Sequence, residues 1–379
     1  MNLAIKDIRH TLPRFIVTLL GIGMLITASL GMVGLYRGIV EDATLLIEEI
    51  DTDYWVVQGG RLGPFAEGSV LPANMDRRVA GVQGVARVRR FVQADQQILH
   101  GGREVRVTLV GLDYPKDRGE WVRLVAGRHL AQGRHEVIVD RSLGFALGDR
   151  IDLARDSYTV VGQTEGMVNG MGDGLIFVSI NDALEISRRK PNEEILLARA
   201  AAGLDTLPQD SKIAAILVDL EPGADPENLR RAVLSWGDAN ILSSAEQTDL
   251  FLNQRLWRLR VQILAFTTVL MIVMTIVISL IVYTMTLEKL HQISLLKLMG
   301  ARNGLISGMI VQQALLIGLG GYLVGVALAH LVFPHFPRRV VLDPGDLTMM
   351  LCVVLLIGFV AAQLGVHRAM QAKPQDVLS

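Results

Sequence analysis

Residues 285–307 read MTLEKLHQISLLKLMGARNGLIS, and this stretch decides how the chain is organised. An apolar run over residues 261–283 precedes it, and another over residues 309–333 follows it. Each run is longer than the roughly 20 residues that a helix needs to cross a bilayer. The quoted stretch is therefore predicted to be a short loop between two membrane-spanning helices.

This loop has a helical pattern of its own. Its apolar residues recur at near-helical spacing, and they are Leu290, Ile293, Leu296, Leu298 and Met299. Charged and polar residues lie between them, and Gly300 is placed to end the helix in a left-handed cap. Such an amphipathic helix either lies on lipid headgroups as a connector or docks into a groove of a partner protein. The spacing alone leaves both interpretations open.

The composition agrees with a membrane protein. Half of the residues (50%) are apolar, and the mean hydropathy is +0.37, which is high for a soluble enzyme of this length. The formal net charge is -1 and no long basic run occurs, which argues against nucleic acid as the main partner. Cys352 is the single cysteine, so no disulfide can form within the chain. Its place inside an apolar run favours a small residue that faces either lipid or the core.

Four apolar runs are predicted to span the membrane, and they cover residues 15–35, 260–285, 307–333 and 347–364. Residues 36–259 have the composition of a soluble domain. The fold class predicted is thus an α-helical membrane protein with four transmembrane helices and a large α+β extracytoplasmic domain. The other segments are an amphipathic inner-surface helix, the loop introduced above, a short outer loop and a cytoplasmic tail, at residues 1–14, 286–306, 334–346 and 365–379.

Basic residues near the ends of the spans give the orientation. Those near the proposed inner face are Lys6, Arg9, Arg14, Lys289, Lys297, Arg302, Arg368 and Lys373. Those near the proposed outer face are Arg37, Arg255, Arg258, Arg260, Arg338 and Arg339. This excess favours an N-terminus on the inner side, with residues 36–259 outside.

The soluble segment reads as a mixture of strands and helices. Runs with β-branched or aromatic residues predict strands over residues 54–58, 105–112, 136–140, 158–161, 175–179 and 213–220. Asp225 and Pro226 are placed to begin a helix that ends near Trp236. Ser243 and Glu246 have the spacing of a capping box, and the helix they start is predicted to pass straight into the second span.

Small residues mark two spans for close packing. Gly23, Thr27 and Gly31 are four residues apart in the first span, and Gly321 and Gly325 repeat that spacing in the third. Residues of this size let helix backbones approach closely in lipid. The spacing leaves open whether the first-span face forms a dimer contact or packs within the subunit.

Two further features carry weaker signals. The glycine-rich stretch over residues 166–174 lacks the Lys-Ser/Thr of a phosphate loop. It is read either as a flexible connector or as a mobile substrate-facing loop, in which Met167 and Met171 are adaptable apolar contacts. His330 and His335 flank the short outer loop, and a structural role is favoured over haem or metal binding because no cysteine or carboxylate cluster accompanies them.

The pattern Glu288-Lys289-x-x-x-Ile293-x-x-Leu296-Lys297-x-x-Gly300-Ala301 resembles the signature of the MacB/FtsX-type permeases of ABC transporters, also called type VII. The strands around residues 136–162 are similar to the strand-rich lobe of the MacB-type periplasmic core domain, and residues 213–236 fit its second α/β lobe. The sequence DYWVV at residues 53–57 is closest to the DevC/HrtB-like branch.

The resemblance implies that the loop between the second and third spans is a coupling helix seated in a cleft of an ATPase subunit. The implied coupling residues are Glu288, Lys289, Leu290, His291, Ile293, Leu296, Lys297 and Gly300. The chain would not be an enzyme and would bind no cofactor, since ATP and Mg would be held by the partner ATPase. It would work as a homodimer or close heterodimer with two ATPase subunits. The resemblance also implies a place in the inner membrane, with both termini in the cytoplasm and the large domain outside it.

The implied activity is extrusion of an apolar or amphipathic substrate by mechanotransmission, with a periplasmic adaptor and an outer-membrane channel as further partners. The spans contain almost no ionisable residue, so the energy is expected to come from a separate ATPase rather than from protons. The alternatives are an FtsX-like regulator of a cell-wall hydrolase that transports nothing, a lipoprotein-releasing permease and a haem exporter. The sequence does not name the substrate.

Overall fold

The computed structural model describes residues 12–100, 102–154, 156–188 and 212–371. The chain divides into two compact units. One comprises Met1–Gly38 and Arg258–Ser379, and the other comprises Ile39–Trp257. We call them the membrane unit and the outer domain. Most of the amphipathic helix predicted over residues 1–14, and the end of the tail beyond residue 371, lie outside the described residues.

The described residues contain nine α-helices. They are α1 (Leu12–Glu49), α2 (Met75–Ala80), α3 (Ile180–Arg188), α4 (Pro226–Ser235), α5 (Ser244–Leu250), α6 (Trp257–Glu288), α7 (Leu290–Leu298), α8 (Asn303–Val332) and α9 (Pro344–Gln371). Short turns of 3-10 helix lie at Arg141–Leu143 and Phe333–His335, and a π-helical turn occupies Phe251–Arg255.

Twelve strands are described as well. They are β1 (Tyr54–Gln58), β2 (Leu71–Pro72), β3 (Val85–His100), β4 (Arg103–Leu112), β5 (Leu124–Gly127), β6 (Glu136–Asp140), β7 (Arg150–Leu153), β8 (Asp156–Thr164), β9 (Gly174–Ser179), β10 (Lys212–Ile213), β11 (Ala215–Leu220) and β12 (Ala239–Ser243). Every strand predicted from the sequence overlaps one of them.

Four of the helices, α1, α6, α8 and α9, are long and apolar enough to cross a membrane. In the membrane unit their inward faces form one apolar core, to which Ile26, Met274, Ile310 and Val354 contribute. Leu264 on α6 is 57% exposed, as expected for a side chain that contacts lipid. The number of spans predicted from the sequence is therefore confirmed, whereas their limits within the longer helices stay predictions.

The outer domain is built on one sheet of ten strands. Their order is β12-β1-β11-β3-β4-β9-β6-β8-β5, and β7 pairs with β8 beside this path. The β4–β9 and β6–β8 pairs are parallel, and the other described pairs are antiparallel. A separate two-stranded sheet is formed by β2 and β10.

The long strand β3 joins the two halves of this sheet. Residues 85–91 of β3 pair with β11, whereas residues 92–100 pair with β4. One half therefore contains β1, β11 and β12, and the other contains β4 to β9, which agrees with the two lobes predicted. Strand β3 is not among the predicted strands because it reads VARVRRFVQADQQILH, in which charged and amide residues hide the apolar pattern.

Both faces of the central strands are buried. Val56 belongs to one apolar core, whereas Trp55 and Val57 on either side of it belong to the other. Helices α2, α3 and α4 contribute to the first core, and Leu46 and Ile50 at the end of α1 contribute to the second. Because each face is covered, these strands read as continuous apolar runs rather than as alternating ones.

Two predicted helix starts are confirmed. The Asp225 side chain accepts a hydrogen bond from the Glu227 N–H, with Pro226 in the first turn. Ser243 and Glu246 form a reciprocal capping box, with bonds of 3.1 Å and 2.8 Å. Burial alone would raise the pKa of Glu246, but hydrogen bonds from Ser243 and Arg230 outweigh burial and hold that pKa below its usual value.

Two details of the predicted elements are wrong. The strand predicted over residues 213–220 is interrupted at Ala214, because the residues before and after it belong to different sheets. The Ala214 N–H itself donates to the Phe91 carbonyl. The helix that starts after Ser243 does not run straight into the second span. It ends at Leu250, and the π-helical turn and Leu256 separate it from α6.

Candidate coupling and substrate sites

The loop between α6 and α8 folds into helix α7. Helix α6 ends at Glu288, Lys289 forms the turn, and α7 begins at Leu290. The Ala301 N–H binds the Leu296 carbonyl at 2.9 Å, and Gly300 has a φ of 85°. This is the geometry of a Schellman cap, which glycine adopts without steric cost. The predicted left-handed cap at Gly300 is therefore confirmed.

One residue implied to be a partner anchor lies inside the protein. Ile293 is 7% exposed and belongs to the apolar core of the membrane unit, and Ser294 beside it is 3% exposed. The interpretation of Ile293 as a docking side chain is wrong, because α7 lies against its own spans and must bury one face there. Leu290 and Leu296 are half-buried. The side chain of Lys297 lies outside the described residues.

The exposed face of α7 carries a different apolar set. Leu295 is 41% exposed, Leu298 is 52% exposed and Met299 is 76% exposed. Positions i, i+3 and i+4 lie on one side of a helix, so these three side chains form one stripe. His291 and Gln292 are exposed as well, and so is Glu288 just before the turn. The sequence pattern missed Leu295 because spacing does not tell which face of a short helix meets its own spans.

The small residues of the first span meet the third span of the same chain. A Cβ added to Gly23 would lie 2.7 Å from Val324 Cγ1, and one added to Gly325 would lie 2.8 Å from Ile26 Cγ2. A Cβ on Gly321 would be too close to Ile22. Such contacts leave no room for a larger residue, so α1 and α8 approach closely only because these positions are glycine.

Thr27 adds a polar contact to this packing. Its hydroxyl oxygen lies 2.8 Å from the Gly23 carbonyl and 2.9 Å from the Gly325 carbonyl across the helix pair. Farther along α1, Gly31 faces Phe333, and the Gly34 carbonyl accepts a hydrogen bond of 3.0 Å from the Val341 N–H. The sequence left open whether the small-residue face of α1 forms a dimer contact or packs within the subunit. This face packs against other residues of the same chain.

The glycine-rich stretch is an ordered turn. The Asn169 side chain makes the central hydrogen bonds. Its Oδ1 accepts from the Met171 and Asp173 N–H groups at 2.8 Å and 2.9 Å, and its Nδ2 donates to the Thr108 hydroxyl at 2.8 Å. The Asn169 backbone carbonyl accepts a further bond within the turn. A Cβ added to Gly170 would lie 2.7 Å from the Cβ of Ala43 on α1. Side-chain hydrogen bonds that sequence patterns do not reveal thus hold this stretch in a defined turn, and the flexible connector and the mobile substrate-facing loop both stay predictions.

The two methionines of this stretch have different environments. Met167 is 4% exposed in the apolar core, and its N–H donates to Asp140 Oδ2 at 2.8 Å. Its assignment as a substrate-facing contact is therefore wrong. Met171 at the tip of the turn is 65% exposed, and its assignment stays a prediction.

Met171 borders a cavity of about 330 Å³ inside the outer domain. The end of α1, the glycine-rich turn and the π-helical turn surround it. Its wall combines apolar side chains with hydrogen-bonding groups, among them Leu46, Phe65, Phe251, Gln93 and Asp95. The Oε1 atom of Gln93 is buried and finds no hydrogen-bond partner among the described residues. Such a cavity suits a small amphipathic molecule that carries a hydrogen-bond donor.

A buried ionic cluster fixes the end of α1 to the sheet. Arg89 on β3 is 3% exposed, and its guanidinium lies 3.2 Å from Asp117 and 3.3 Å from Asp219. It also donates to the backbone carbonyl of Asp51, which follows α1. Arg89 is not predictable from the sequence, because three arginines within four residues are typical of a solvated surface and only the tertiary structure identifies the buried one.

The histidines of the outer loop bind backbone rather than each other. Nδ1 of His330 lies 2.9 Å from the Val326 carbonyl, and Nδ1 of His335 lies 3.1 Å from the Leu331 carbonyl. In the part of the chain that the structure describes, no group of three or more His, Cys, Asp or Glu residues is placed to hold a metal ion. Cys352 is exposed on α9.

Two family models match this chain and together cover most of it. The MacB-like periplasmic core domain matches residues 15–235, and the FtsX-like permease C-terminal domain matches residues 264–374. The chain therefore belongs to the MacB/FtsX-type permeases of ABC transporters, as its sequence motif predicts.

Curated relatives agree with this membership. An uncharacterised ABC transporter permease of Mycobacterium bovis is 25% identical over 377 residues, which covers 98% of this chain and 97% of the relative. Another from Mycobacterium tuberculosis is 25% identical over 388 residues, with the same coverage. These proteins are components of ABC transporters, so an ATPase partner is implied for a chain of this family.

Two of the solved structures that resemble this chain are extracytoplasmic domains. The extracellular domain of the transporter YknZ from Gram-positive bacteria is 12% identical, with a TM-score of 0.35, and covers 51% of this chain and 100% of that domain. The periplasmic region of MacB from Actinobacillus actinomycetemcomitans is 14% identical, with a TM-score of 0.36, and covers 52% of this chain and 92% of that region.

Proposed function

We propose that this chain is the permease subunit of an ATP-driven exporter that works by mechanotransmission. Two copies, or this chain and a close relative, bind two separate ATPase subunits that hold ATP and Mg. The termini lie in the cytoplasm, and the outer domain carries the motion to an apolar or amphipathic substrate. A periplasmic adaptor and an outer-membrane channel complete the export route.

The observation that carries this proposal is the exposed stripe on α7. Leu295, Leu298 and Met299 form an apolar surface on a short helix between two spans, and Glu288, just before the turn that leads to this helix, is exposed. An apolar helix face of this kind fits a hydrophobic groove, and the surrounding polar residues form a wet rim. In a permease of this family, we expect the ATPase subunit to provide that groove.

The cavity beside Met171 supports export over a purely regulatory role. Its volume of about 330 Å³ lies within the range of small-ligand sites. Its wall includes Asp42, Ala43 and Leu46 near the end of α1, and Arg89 on the sheet donates to the Asp51 carbonyl just after that helix. Movement of this part of α1 would therefore change the cavity. A regulator of a cell-wall hydrolase has no need of a small-molecule site.

The test changes the stripe without changing the core. Leu298→Asp places a charge at the centre of the proposed contact, and we expect ATPase association to weaken by roughly thirty-fold, as for loss of a contact worth about 2 kcal/mol. The permease is purified with its ATPase, and the bound ATPase and the rate of substrate-stimulated ATP hydrolysis are measured. Transport of an amphipathic dye in reconstituted vesicles is recorded in parallel.

The matched control is Leu234→Asp, because Leu234 is 49% exposed on α4 of the outer domain. This variant should keep both the ATPase and its stimulation. Ile293→Asp is unsuitable as a docking test, since it would place a charge in the core and destabilise the permease itself. Normal association and hydrolysis in Leu298→Asp would contradict the proposal. Stimulated hydrolysis without dye transport would favour the regulatory alternative.

A further inference from the structure

Residues 61–68 form a loop of the outer domain between β1 and β2. Both ends of this loop are tied to Gln58. The Arg61 N–H donates to the Gln58 carbonyl at 3.2 Å, and the Val70 N–H donates to Gln58 Oε1 at 3.1 Å. Residues 64–68 form part of the wall of the cavity beside Met171. Compact loops whose two ends lie together in this way are frequently functional.

Hydrogen bonds do not fix the middle of this loop to the rest of the domain. Among the described residues, the one hydrogen bond made by residues 62–68 runs inside the loop, from the Glu67 N–H to the Gly63 carbonyl at 3.1 Å. The ion pair between Arg61 and Glu67, at 3.8 Å, is internal to the loop as well and lies at the surface. A segment with so few polar links to its surroundings opens more readily than the sheet beside it.

Apolar packing is what holds the loop closed. The ring of Phe65 packs against Trp55 at 5.3 Å and against Phe91 at 5.9 Å between ring centroids. Ala66 is 8% exposed and belongs to a small apolar cluster with Phe251 of the π-helical turn. Burial of these side chains favours the closed position of the loop.

A buried amide opposes this closure. Gln247 on α5 is 1% exposed, and neither Oε1 nor Nε2 of its side chain has a hydrogen-bond partner in the part of the chain that the structure describes. The loop lies directly on this amide, because a Cβ added to Gly63 would lie 2.5 Å from Gln247 Oε1. An amide buried in this way gives up its hydrogen bonds to water and gains none in return. The closed loop therefore carries a cost that an open loop does not.

We propose that the 61–68 loop is a lid on the cavity, and that the Gln247 amide keeps the closed and open positions of this lid close in free energy. Opening exposes the amide to water and withdraws residues 64–68 from the cavity wall, which widens the way into the cavity. The inference rests on the proposed function only for the use of that cavity by a substrate. The motion of the lid is a property of this chain, and its measurement needs neither the ATPase nor a substrate.

The test follows the reactivity of a thiol placed on the lid. Ala66→Cys is made in a Cys352→Ala background, because Cys352 is exposed, and the new thiol is shielded while the lid is closed. Val160→Cys in the same background is the matched control. Val160 is 2% exposed on β8, in the other half of the sheet, so its thiol reports opening of the whole domain. The full chain in neutral detergent is labelled with the water-soluble reagent dithiobis-nitrobenzoate, and both rates are measured.

We expect the Ala66→Cys thiol to react faster than the Val160→Cys thiol, because the lid opens while the domain stays folded. Gln247→Met replaces the amide by an apolar side chain of similar length. It should raise the melting temperature and slow labelling at position 66 about ten-fold, since closure then leaves no amide unsatisfied. Phe65→Ala removes the ring that holds the lid closed and should speed this labelling by more than ten-fold.

Gln163→Met is the control for the exchange of an amide. The Gln163 side chain donates a hydrogen bond from Nε2 to the Phe145 carbonyl, so its loss should lower the melting temperature. It should not slow labelling at position 66. This contrast separates an amide without partners from one that stabilises the fold.

Three outcomes would overturn the proposal. Equal labelling rates of the two thiols would show that position 66 is reached only when the whole domain unfolds. A lower melting temperature of Gln247→Met, with faster labelling at position 66, would show that the amide stabilises the closed loop. Labelling that neither Gln247→Met nor Phe65→Ala changes would show that the thiol reacts with the loop closed. ATPase association, measured separately with Leu298→Asp, tests the export function and is independent of all three.

Discussion

The outer domain and the membrane unit are stabilised by opposite kinds of residue. Large side chains fill the outer domain, where Trp55 is fully buried and its ring packs edge-on against Phe65 and Phe91 at 5.3 Å and 5.4 Å. In the membrane unit, the contact between α1 and α8 depends on positions with no side chain, such as Gly23 and Gly325. In water, burial of apolar area drives folding, whereas in lipid the close approach of backbones replaces it.

The largest expected effect tests the outer domain. Trp55→Ala should lower the free energy of unfolding by about 3–5 kcal/mol, because it removes a large buried ring and leaves a cavity. Trp257→Ala is the control, since Trp257 is 48% exposed, and its effect should be small. Thermal unfolding of both variants, followed by circular dichroism, makes the comparison. Equal losses would show that burial of Trp55 is not the main contribution.

The next effect tests the membrane unit. Gly23→Ala should destabilise the α1–α8 contact by about 1–3 kcal/mol, because its Cβ would meet the stiff side chain of Val324 and the backbone of Gly325. Gly21→Ala adds the same methyl group where no atom lies within 4 Å, so it should be neutral. The melting temperature in detergent separates them. Equal behaviour of the two variants would mean that α1 does not depend on close approach to α8.

A smaller effect isolates the polar part of that contact. Thr27→Val keeps the shape of the side chain and removes the hydroxyl near the Gly325 carbonyl, which should cost about 0.6 kcal/mol, as for an average interhelical hydrogen bond in a membrane protein. Thr268→Val is the control, because the Thr268 hydroxyl bonds the Leu264 carbonyl of its own helix. If Thr268→Val loses as much stability as Thr27→Val, the bond between the two helices contributes no more than a bond within one helix.

The smallest effect concerns pH and the outer domain. Burial alone would raise the pKa of Glu136, but the Arg128 guanidinium at 2.5 Å and the N–H groups of Ala131 and Gln132 outweigh it and lower that pKa. A carboxylate with a lowered pKa contributes stability above its unfolded value near 4.5, and that stability is lost as the pH falls through the folded pKa. The outer domain should therefore weaken below about pH 4.5.

Glu136→Gln tests this dependence directly. The variant should be less stable than the wild type at pH 7 and should show a flatter decline between pH 5 and pH 3, because no proton is then taken up at this position. Urea unfolding of the wild type and the variant at several pH values measures how the free energy of unfolding changes with pH in each protein. An unchanged slope would assign the acid sensitivity to other carboxylates, of which Glu246 is the first candidate.

Local patterns predicted much of this architecture. Apolar runs identify the four spans, because a bilayer demands a fixed length of apolar helix. The capping residues Asp225, Ser243 and Glu246 lie where their spacing places them, since a cap involves only neighbours along the chain. The cap at Gly300 is predictable for the same reason, because its left-handed conformation ends a helix through contacts within a few residues.

The candidate sites were less predictable than the fold. The spacing on α7 identifies a helix, yet it does not tell that Ile293 faces the core and Leu295 does not. Similarly, two methionines four residues apart seemed equivalent, but Met167 fills the core and Met171 reaches the surface. Orientation of a short segment depends on what packs against it, and that partner is distant in sequence.

The sequence by itself determined the family, the four spans and the division between a membrane unit and a soluble domain, because these follow from composition, apolar length and short motifs. Only the tertiary structure decided that β3 serves both halves of the sheet, that Arg89 is the buried arginine and that Gly23 faces α8 of the same chain. Each of these depends on atoms brought together from distant parts of the chain. Contacts of this kind are selected by packing of the whole fold and leave no periodic signal in any one segment.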